Sequence, residues 1–221
     1  YLALSKNYRG DSCFLVLLSM CFLYLPSVFW LEFLSRSTCA HWFQCYSENY
    51  LWSNYVTDII LDNNAILRHS KYQKEGEKTF HTANTNVKQL DSSKYNYYLF
   101  NSGSLQSRNK IHCKLEEKNS ICDISGCYFI SGDQNSDILV DIQHLASSCQ
   151  SNQKFYGAAD CNSHGVFQGK IHVGEGTLNS KADQISRGII LSNNSLICRK
   201  IDILKISYSF HFRIISIRHY S

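Results

Sequence analysis

Between His164 and Ser192 the chain reads HGVFQGKIHVGEGTLNSKADQISRGIILS, and in its first part Phe167, Gly169, Ile171 and Val173 alternate with Gln168, Lys170 and His172. A period of two means a strand with one buried and one wet face, because successive side chains of an extended backbone point to opposite sides. A helix would instead repeat its apolar positions three or four residues apart. Gly174 and Gly176 interrupt the run where the chain must turn. Gln184, Ile185, Arg187, Ile189, Ile190 and Leu191 then begin a second extended segment. A chain with this pattern is expected to be built from short strands.

The same alternation recurs at Ile111/Cys113/Leu115, Ile138/Val140/Ile142 and Phe167/Gly169/Ile171, triads that start 27 and 29 residues apart. Repeats of that length are the mark of stacked coils, in which each rung buries its inward face only against its neighbours. Polar punctuation at Asn63-Asn64, Asn101 to Ser104, Ser131 to Ser136 and Asn193 to Ser195 suits such a solenoid. A β-sandwich would give a similar pattern, and periodicity does not separate the two. From Leu204 to Ile214, apolar Leu204, Ile206, Tyr208, Phe210, Phe212 and Ile214 alternate with Lys205, Ser207, Ser209, His211 and Arg213. This reads as one long edge strand whose basic residues discourage stray pairing. Tyr, Phe, Asn, Ser and Ile are heavily used against one Pro and one Met, which argues against a helical bundle. The length of 221 residues suits one principal domain with appendages.

The net charge of +4 is accounted for by the last stretch, where Arg199, Lys200, Lys205, Arg213 and Arg218 stand against Asp202. The remainder is neutral, so the continuous basic patch that nucleic-acid binding needs is not expected. At the other end, residues 12 to 31 carry no charged side chain and are preceded by Lys6 and Arg9. About 20 such residues can cross a bilayer, and with Thr38-Cys39-Ala40 downstream they also fit a secretory signal. Pro26 in mid-span, and the sole Met at position 20, favour a non-native leader instead. The expected organisation is a hydrophobic leader over 1–49, a β-helix core over 50–198 and a basic amphipathic tail over 199–221.

Of the groups able to do chemistry, the ten cysteines contain no Cys-x-x-Cys pair, the arrangement by which closed zinc or cluster sites take two ligands from one tight turn. Buried thiols are expected, with Cys113 in the core between Ile111 and Leu115; disulfides would be expected only of an exported chain. His144 and Cys149 are singled out as an imidazole and a thiol that adjacent rungs could bring together. Without a third, orienting group the pair more often has a structural role. Asp58, Asp62, Asp123, Asp133, Asp137 and Asp141 could supply a glycosidase-like carboxylate pair, but turn-forming aspartate is the commoner use. The chain has no phosphate-binding GxxxxGK[ST], no GxGxxG after a strand, no HExxH and no GxSxG, so no NTPase, dehydrogenase or hydrolase is indicated.

The segment GVFQGKIHV, followed by Gln184 and by Arg187 ahead of IILS, resembles the signature of the SufB/SufD core family, scaffold proteins of the SUF system for iron–sulfur cluster assembly. It lies closer to the SufD side. The signature positions are Gly165, Phe167, Gly169, Lys170, Ile171, Gln184 and Arg187; Gly188 stands where the family usually has asparagine. The resemblance extends upstream through His144–Gly157, Ser125–His144 and Ser102–Ser120 to Asn54–Gly76, roughly residues 50–198 in all. It implies an all-β fold, a right-handed parallel β-helix. It also implies a non-enzymatic cytoplasmic scaffold that pairs with a SufB-like subunit as a heterodimer and contacts a SufC-like ATPase through a C-terminal helical region. In such complexes an iron–sulfur cluster forms transiently, with none bound stably by the subunit. The family's Cys-x-His-Gly segment is not found after Lys200-Ile201-Asp202-Ile203, so cluster ligation and the ATPase contact are carried to no residue here, and a truncated copy is expected. No catalytic, cofactor or metal residue is assigned. The reading of a different class is an exported or membrane-anchored β-solenoid adhesin or polysaccharide-binding module, with residues 12–31 as its signal or anchor.

Overall fold

In a computed structural model, which describes residues 28–35, 38–45, 49–175, 177–205 and 211–217, the chain is a parallel β-solenoid. Fourteen strands are described: β1 (Val28–Ser35), β2 (Thr38–Cys45), β3 (Leu51–Leu61), β4 (Ile66–Glu75), β5 (Thr79–Gln89), β6 (Lys94–Gly103), β7 (Gln106–Leu115), β8 (Ile121–Ile130), β9 (Asn135–His144), β10 (Gln150–Ala159), β11 (His164–Val173), β12 (Lys181–Ile190), β13 (Leu196–Lys205) and β14 (His211–Ile217). Successive strands alternate between two sheets. One sheet runs β1-β2-β4-β6-β8-β10-β12-β14 and the other β13-β11-β9-β7-β5-β3. All pairings are parallel except β1 with β2. Among the described residues there is no helix.

The parallel β-helix expected from the signature is therefore the architecture. β11 and β12, the two strands of the signature, do not pair with each other but lie in opposite sheets, joined by the turn after Gly174. The inner faces of the two sheets meet in one core, in which Ile111, Cys113, Leu115, Ile124, Ile138, Val140, Ile142, Phe155, Phe167 and Ile171 are buried. Phe155 and Phe167 stack across it with ring centroids 4.5 Å apart. Burying such side chains contributes roughly 1.5–3 kcal/mol each, which is what closes a coil that makes few local contacts.

Turn chemistry fixes the corners. At one corner Asn64, Ser92, Asn119, Ser148 and Asn179 each adopt a left-handed φ near +60°, a conformation that Asn tolerates best among residues with a side chain. The amide N–H of each donates to the corner one turn on: Asn64 to Asp91 O (2.9 Å), Ser92 to Lys118 O (3.0 Å), Asn119 to Ser147 O (3.4 Å) and Ser148 to Leu178 O (2.8 Å). The backbone groups that a turn leaves unpaired are thus satisfied by the turn beside it.

Two expectations are corrected. The 27-residue step between the first two apolar triads is a slip of register: Ile111 lies beside Val140, and Cys113 beside Ile142, while Ile138 pairs with Asn109 and Phe167. The repeat from β7 through β9 to β11 is 29 residues at each step. The triads were aligned on their apolar residues, and the slip arose because the inward position before Ile111 is the polar Asn109. The single strand expected over Leu204–Ile214 is two strands, β13 ending at Lys205 and β14 beginning at His211, in different sheets. Alternation continues through a corner of a solenoid and so conceals it. Residues 12–27 of the expected hydrophobic leader lie outside the described residues, whereas 28–31 belong to β1. No helix among the described residues is long and apolar enough to cross a membrane.

Candidate functional site

The signature residues line both surfaces of the coil. Gly165 and Gly157 face the Tyr128 ring so closely that a Cβ on either would fall within 2.6 Å of it. Phe167 and Ile171 are core. Gly169 leaves room for Gln184, whose amide nitrogen would lie 1.9 Å from a Cβ at that position. Gln184 and its in-register neighbour Gln153 are fully buried. Lys170 is on the outer surface, in register between Asp141 and Asp202. Arg187, also outward, closes a column that runs across the larger sheet as Trp42, Tyr72, Phe100, Cys127, Tyr156 and Arg187. Within it the rings of Trp42 and Tyr72 are 4.4 Å apart, and those of Tyr72 and Phe100 stack at 5.0 Å and 7°. Trp42, Phe100 and Tyr156 are exposed, as is the neighbouring Tyr98.

His144 and Cys149 are not brought together. His144 Nε2 lies 2.8 Å from Ser151 Oγ, and burial lowers its pKa to about 4, so that it is a neutral core residue. Cys149 occupies the corner position that serine takes in neighbouring turns. Ser120 Oγ donates to Glu117 O (2.6 Å) and Ser93 Oγ to Leu90 O (2.7 Å), while Cys149 Sγ reaches Glu117 O at 3.3 Å. Burial raises its thiol pKa. The aspartates do not converge as a glycosidase pair would. Asp62 and Asp133 sit at turns, Asp58 and Asp123 accept from Asn86 and Asn152, and Asp137 and Asp141 face Arg108 and His112. Cys39, Cys113, Cys122, Cys127, Cys149, Cys161 and Cys198 are thiols in no disulfide, with Cys113 buried as expected.

The densest chemistry lies where no motif marks it, inside the first turns. The inward face of β4 is wholly polar: His69, Lys71, Gln73 and Glu75 are all buried. Opposite stand Ser53 of β3, His81 of β5 and Asn109 of β7. The Lys71 Nζ donates to Asn109 Oδ1 and to His81 Nε2 (2.8 Å). Asn109 Nδ2 donates to Gln73 Oε1 (3.2 Å), and Gln73 Nε2 donates to Glu75 Oε2 (3.2 Å). His81 Nδ1 lies 3.0 Å from Glu75 Oε2 and closes the ring. Ser104 and Ser53 hydroxyls donate to Glu75 at 2.8 and 3.1 Å.

Because Lys71 donates to Nε2, His81 is assigned as the neutral tautomer that carries its proton on Nδ1 and gives it to Glu75. Burial, reinforced by the Lys71 charge, lowers the His81 pKa to about 4 against the pull of Glu75. Burial also brings Lys71 down to about 7, opposed by Glu75. The Glu75 carboxyl is pushed up by burial but ends below its ordinary value because His81, Ser104 and Ser53 hydrogen-bond to it. Part of that lowering supposes a charged His81, which the His81 value of about 4 does not allow at neutral pH. The hydrogen bonds, which need no charge on the imidazole, are the cause that stands. The arrangement is one buried carboxylate and one poised amine, linked by a neutral imidazole. Satisfied networks of this kind rigidify an interior. The Phe43 ring centroid, 5.1 Å from Lys71 Nζ, covers its outer end. Beyond Phe43, Cys39 and His41 of β2 and His69 of β4 bring one sulfur and two ring nitrogens within 4.8 Å of one another.

Comparison with known proteins bears on the whole coil. The sequence model of a family described as "SUF system FeS cluster assembly, SufBD core domain" matches residues 33–200. The chain is 27% identical over 149 residues to the Synechocystis sp. protein named iron-sulfur cluster assembly SufBD family protein slr0076, covering 67% of this chain and 33% of that one. It is 23% identical over 146 residues to protein ABCI7, chloroplastic, of Arabidopsis thaliana, covering 65% and 30% respectively. The chain thus spans about a third of the length of these curated relatives. The matched residues take in the strands from β2 to the first half of β13, the polar ring and the outer aromatic column, and on that match the chain belongs to the SufBD core family of the SUF iron–sulfur cluster assembly system.

Proposed function

We propose that this chain is a SufD-like scaffold subunit for iron–sulfur cluster assembly, which pairs with a SufB-like subunit and turns over no substrate itself. The observation that carries the reading is the family match across the coil. The outer column supports it physically. Aromatic residues and arginine dominate the binding energy of protein interfaces, and Trp42, Tyr72, Phe100, Tyr156 and Arg187 stand in one register line on an exposed sheet face. In this reading the cluster is cargo of the complex, held transiently by it. The thiols, in no disulfide among the described cysteines, suit a reducing, cytoplasmic compartment.

The experiment is co-purification of the chain with a SufB-like and with a SufC-like protein. Capture of the SufB-like partner is expected. Capture of the ATPase is not, because the resemblance assigns that contact to a helical region outside the coil. Replacing Phe100 and Tyr156 with serine should weaken capture of the SufB-like partner by about tenfold or more. No association with the SufB-like protein under reducing conditions would overturn the reading.

A further inference from the structure

We propose that Cys39, His41 and His69 form a binding site for one divalent transition metal ion of the zinc type, built into the first rung of the coil. The three residues come together through register. Cys39 and His41 are both inward positions of β2, two residues apart, and His69 of β4 lies directly across the parallel ladder from Cys39. Cys39 Sγ and His41 Nε2 are 3.1 Å apart, and the His41 and His69 rings lie 4.9 Å apart at 56°. One ligand atom from each residue falls within a span of 4.8 Å. Around a tetrahedral zinc ion with bonds of about 2.0–2.3 Å, ligand atoms are separated by roughly 3.3–3.8 Å. Closure therefore asks for a contraction of about 1 Å or a rotamer adjustment, with no change of backbone.

A second, independent feature points to a ligand. His69 is buried to 1% exposure, and its Nε2 has no hydrogen-bond partner. A buried imidazole nitrogen without a partner is a cost that native interiors rarely carry. The other nitrogen, Nδ1, lies 2.8 Å from the Tyr95 hydroxyl. Histidines that bind metal usually give their second N–H to such an outer partner, which fixes the tautomer and turns a lone pair toward the ion. Tyr95 is buried and its pKa is raised by burial, so that it stays a neutral phenol able to accept that N–H. Burial, then the charges of His41 and Lys71, hold His69 in the neutral form that metal binding requires.

Lys71 is the cation that faces the site, in register with His41. Its side chain is turned to Asn109 and His81, and burial lowers its hold on a proton. One thiolate and two imidazoles suit Zn2+ and, with an open fourth position, Fe2+. On binding, the Cys39 thiol gives its proton to solvent and its sulfur lone pair to the ion. No electron changes hands, so no oxidant or reductant is needed.

The test is titration of the purified, reduced, metal-stripped chain with Co2+, a spectroscopic stand-in for Zn2+. One equivalent is expected to bind with a thiolate-to-cobalt charge-transfer band, which added Zn2+ then bleaches; the same competition with Fe2+ under anaerobic conditions ranks the two metals. Cys39→Ser should abolish the band, and His69→Gln and Tyr95→Phe should weaken binding by about tenfold or more. Cys161→Ser, on the exposed surface, should leave it unchanged. Should Cys39→Ser fail to fold, Zn2+ protection of Cys39 from alkylation in the unaltered chain, read by peptide mass, gives the same answer. No stoichiometric Co2+ binding, a band that survives Cys39→Ser or is lost in Cys161→Ser, or equal alkylation of Cys39 with and without Zn2+ would each overturn the site. None of these results depends on a SufB-like partner, so the outcome is separate from that of the scaffold reading.

Discussion

At the residue scale, the coil is held by pairs of opposite size. Phe155 lies in register with Gly126, and Tyr128 with Gly157, so an aromatic ring on one rung fills the space that a glycine leaves on the next. Gly157→Ala would set a methyl group against the Tyr128 ring. It is expected to lower stability by about 1–3 kcal/mol in urea unfolding, and Tyr128→Leu in the same chain should recover part of the loss. Equal stability of Gly157→Ala and the unaltered protein would contradict this packing. Acid sensitivity also belongs to this scale. His81 and His144 are both depressed from 6.5 to about 4 by burial. The unfolded chain therefore takes up protons first as pH falls. The stability these residues contribute is whole above pH 6.5 and is lost as pH drops from there through about 4, about 3 kcal/mol for each. Urea midpoints measured across that window should fall steeply, and His144→Gln should flatten the slope by about one proton. An unchanged slope in the variant would remove His144 from the account.

At the scale of the element, what sequence could disclose depended on contrast between the two faces of a strand. β11 alternates apolar with polar residues and is legible at once. β4, ILRHSKYQKE, is polar on both faces from Arg68 onward, so no alternation marks it as a strand. Its inward His69, Lys71, Gln73 and Glu75 become a site only when β5 and β7 close over them. The metal-binding triad escaped for a related reason: a search for two cysteines from one turn misses a Cys-x-His whose third ligand arrives 30 residues later by parallel pairing. Cys149, singled out from sequence as a candidate thiol, is a corner residue in a serine position. Cys149→Ser should accordingly leave stability within about 0.5 kcal/mol of the unaltered chain, whereas Ser120→Ala, which removes the bond to Glu117 O, should cost about 1 kcal/mol. A large loss on Cys149→Ser would give that thiol a role the corner does not explain.

For the molecule as a whole, the repeat that places core over core also places surface over surface. The 29-residue step in the smaller sheet sets Val56, Asn84, Lys110, Leu139, Gln168 and Lys200 in one outward column. In the larger sheet the same logic builds the aromatic column that the scaffold reading assigns to a partner. The family signature was legible because its glycines and aromatics are demanded by the packing of every rung. The columns were not, because they join residues from turns far apart in the chain. The central claim is this register, and pulsed electron–electron resonance measures it directly. Nitroxide labels carried by a ketone-bearing unnatural residue, to spare the cysteines, would be placed at Val56 and, in turn, at Leu139, Gln168 and Lys200. With neighbouring strands about 4.8 Å apart, the backbone separations should rise in equal steps, roughly 14, 19 and 24 Å. Distances that fail to rise in that order, or that place Gln168 farther from Val56 than Lys200, would contradict the coil and the function built upon it.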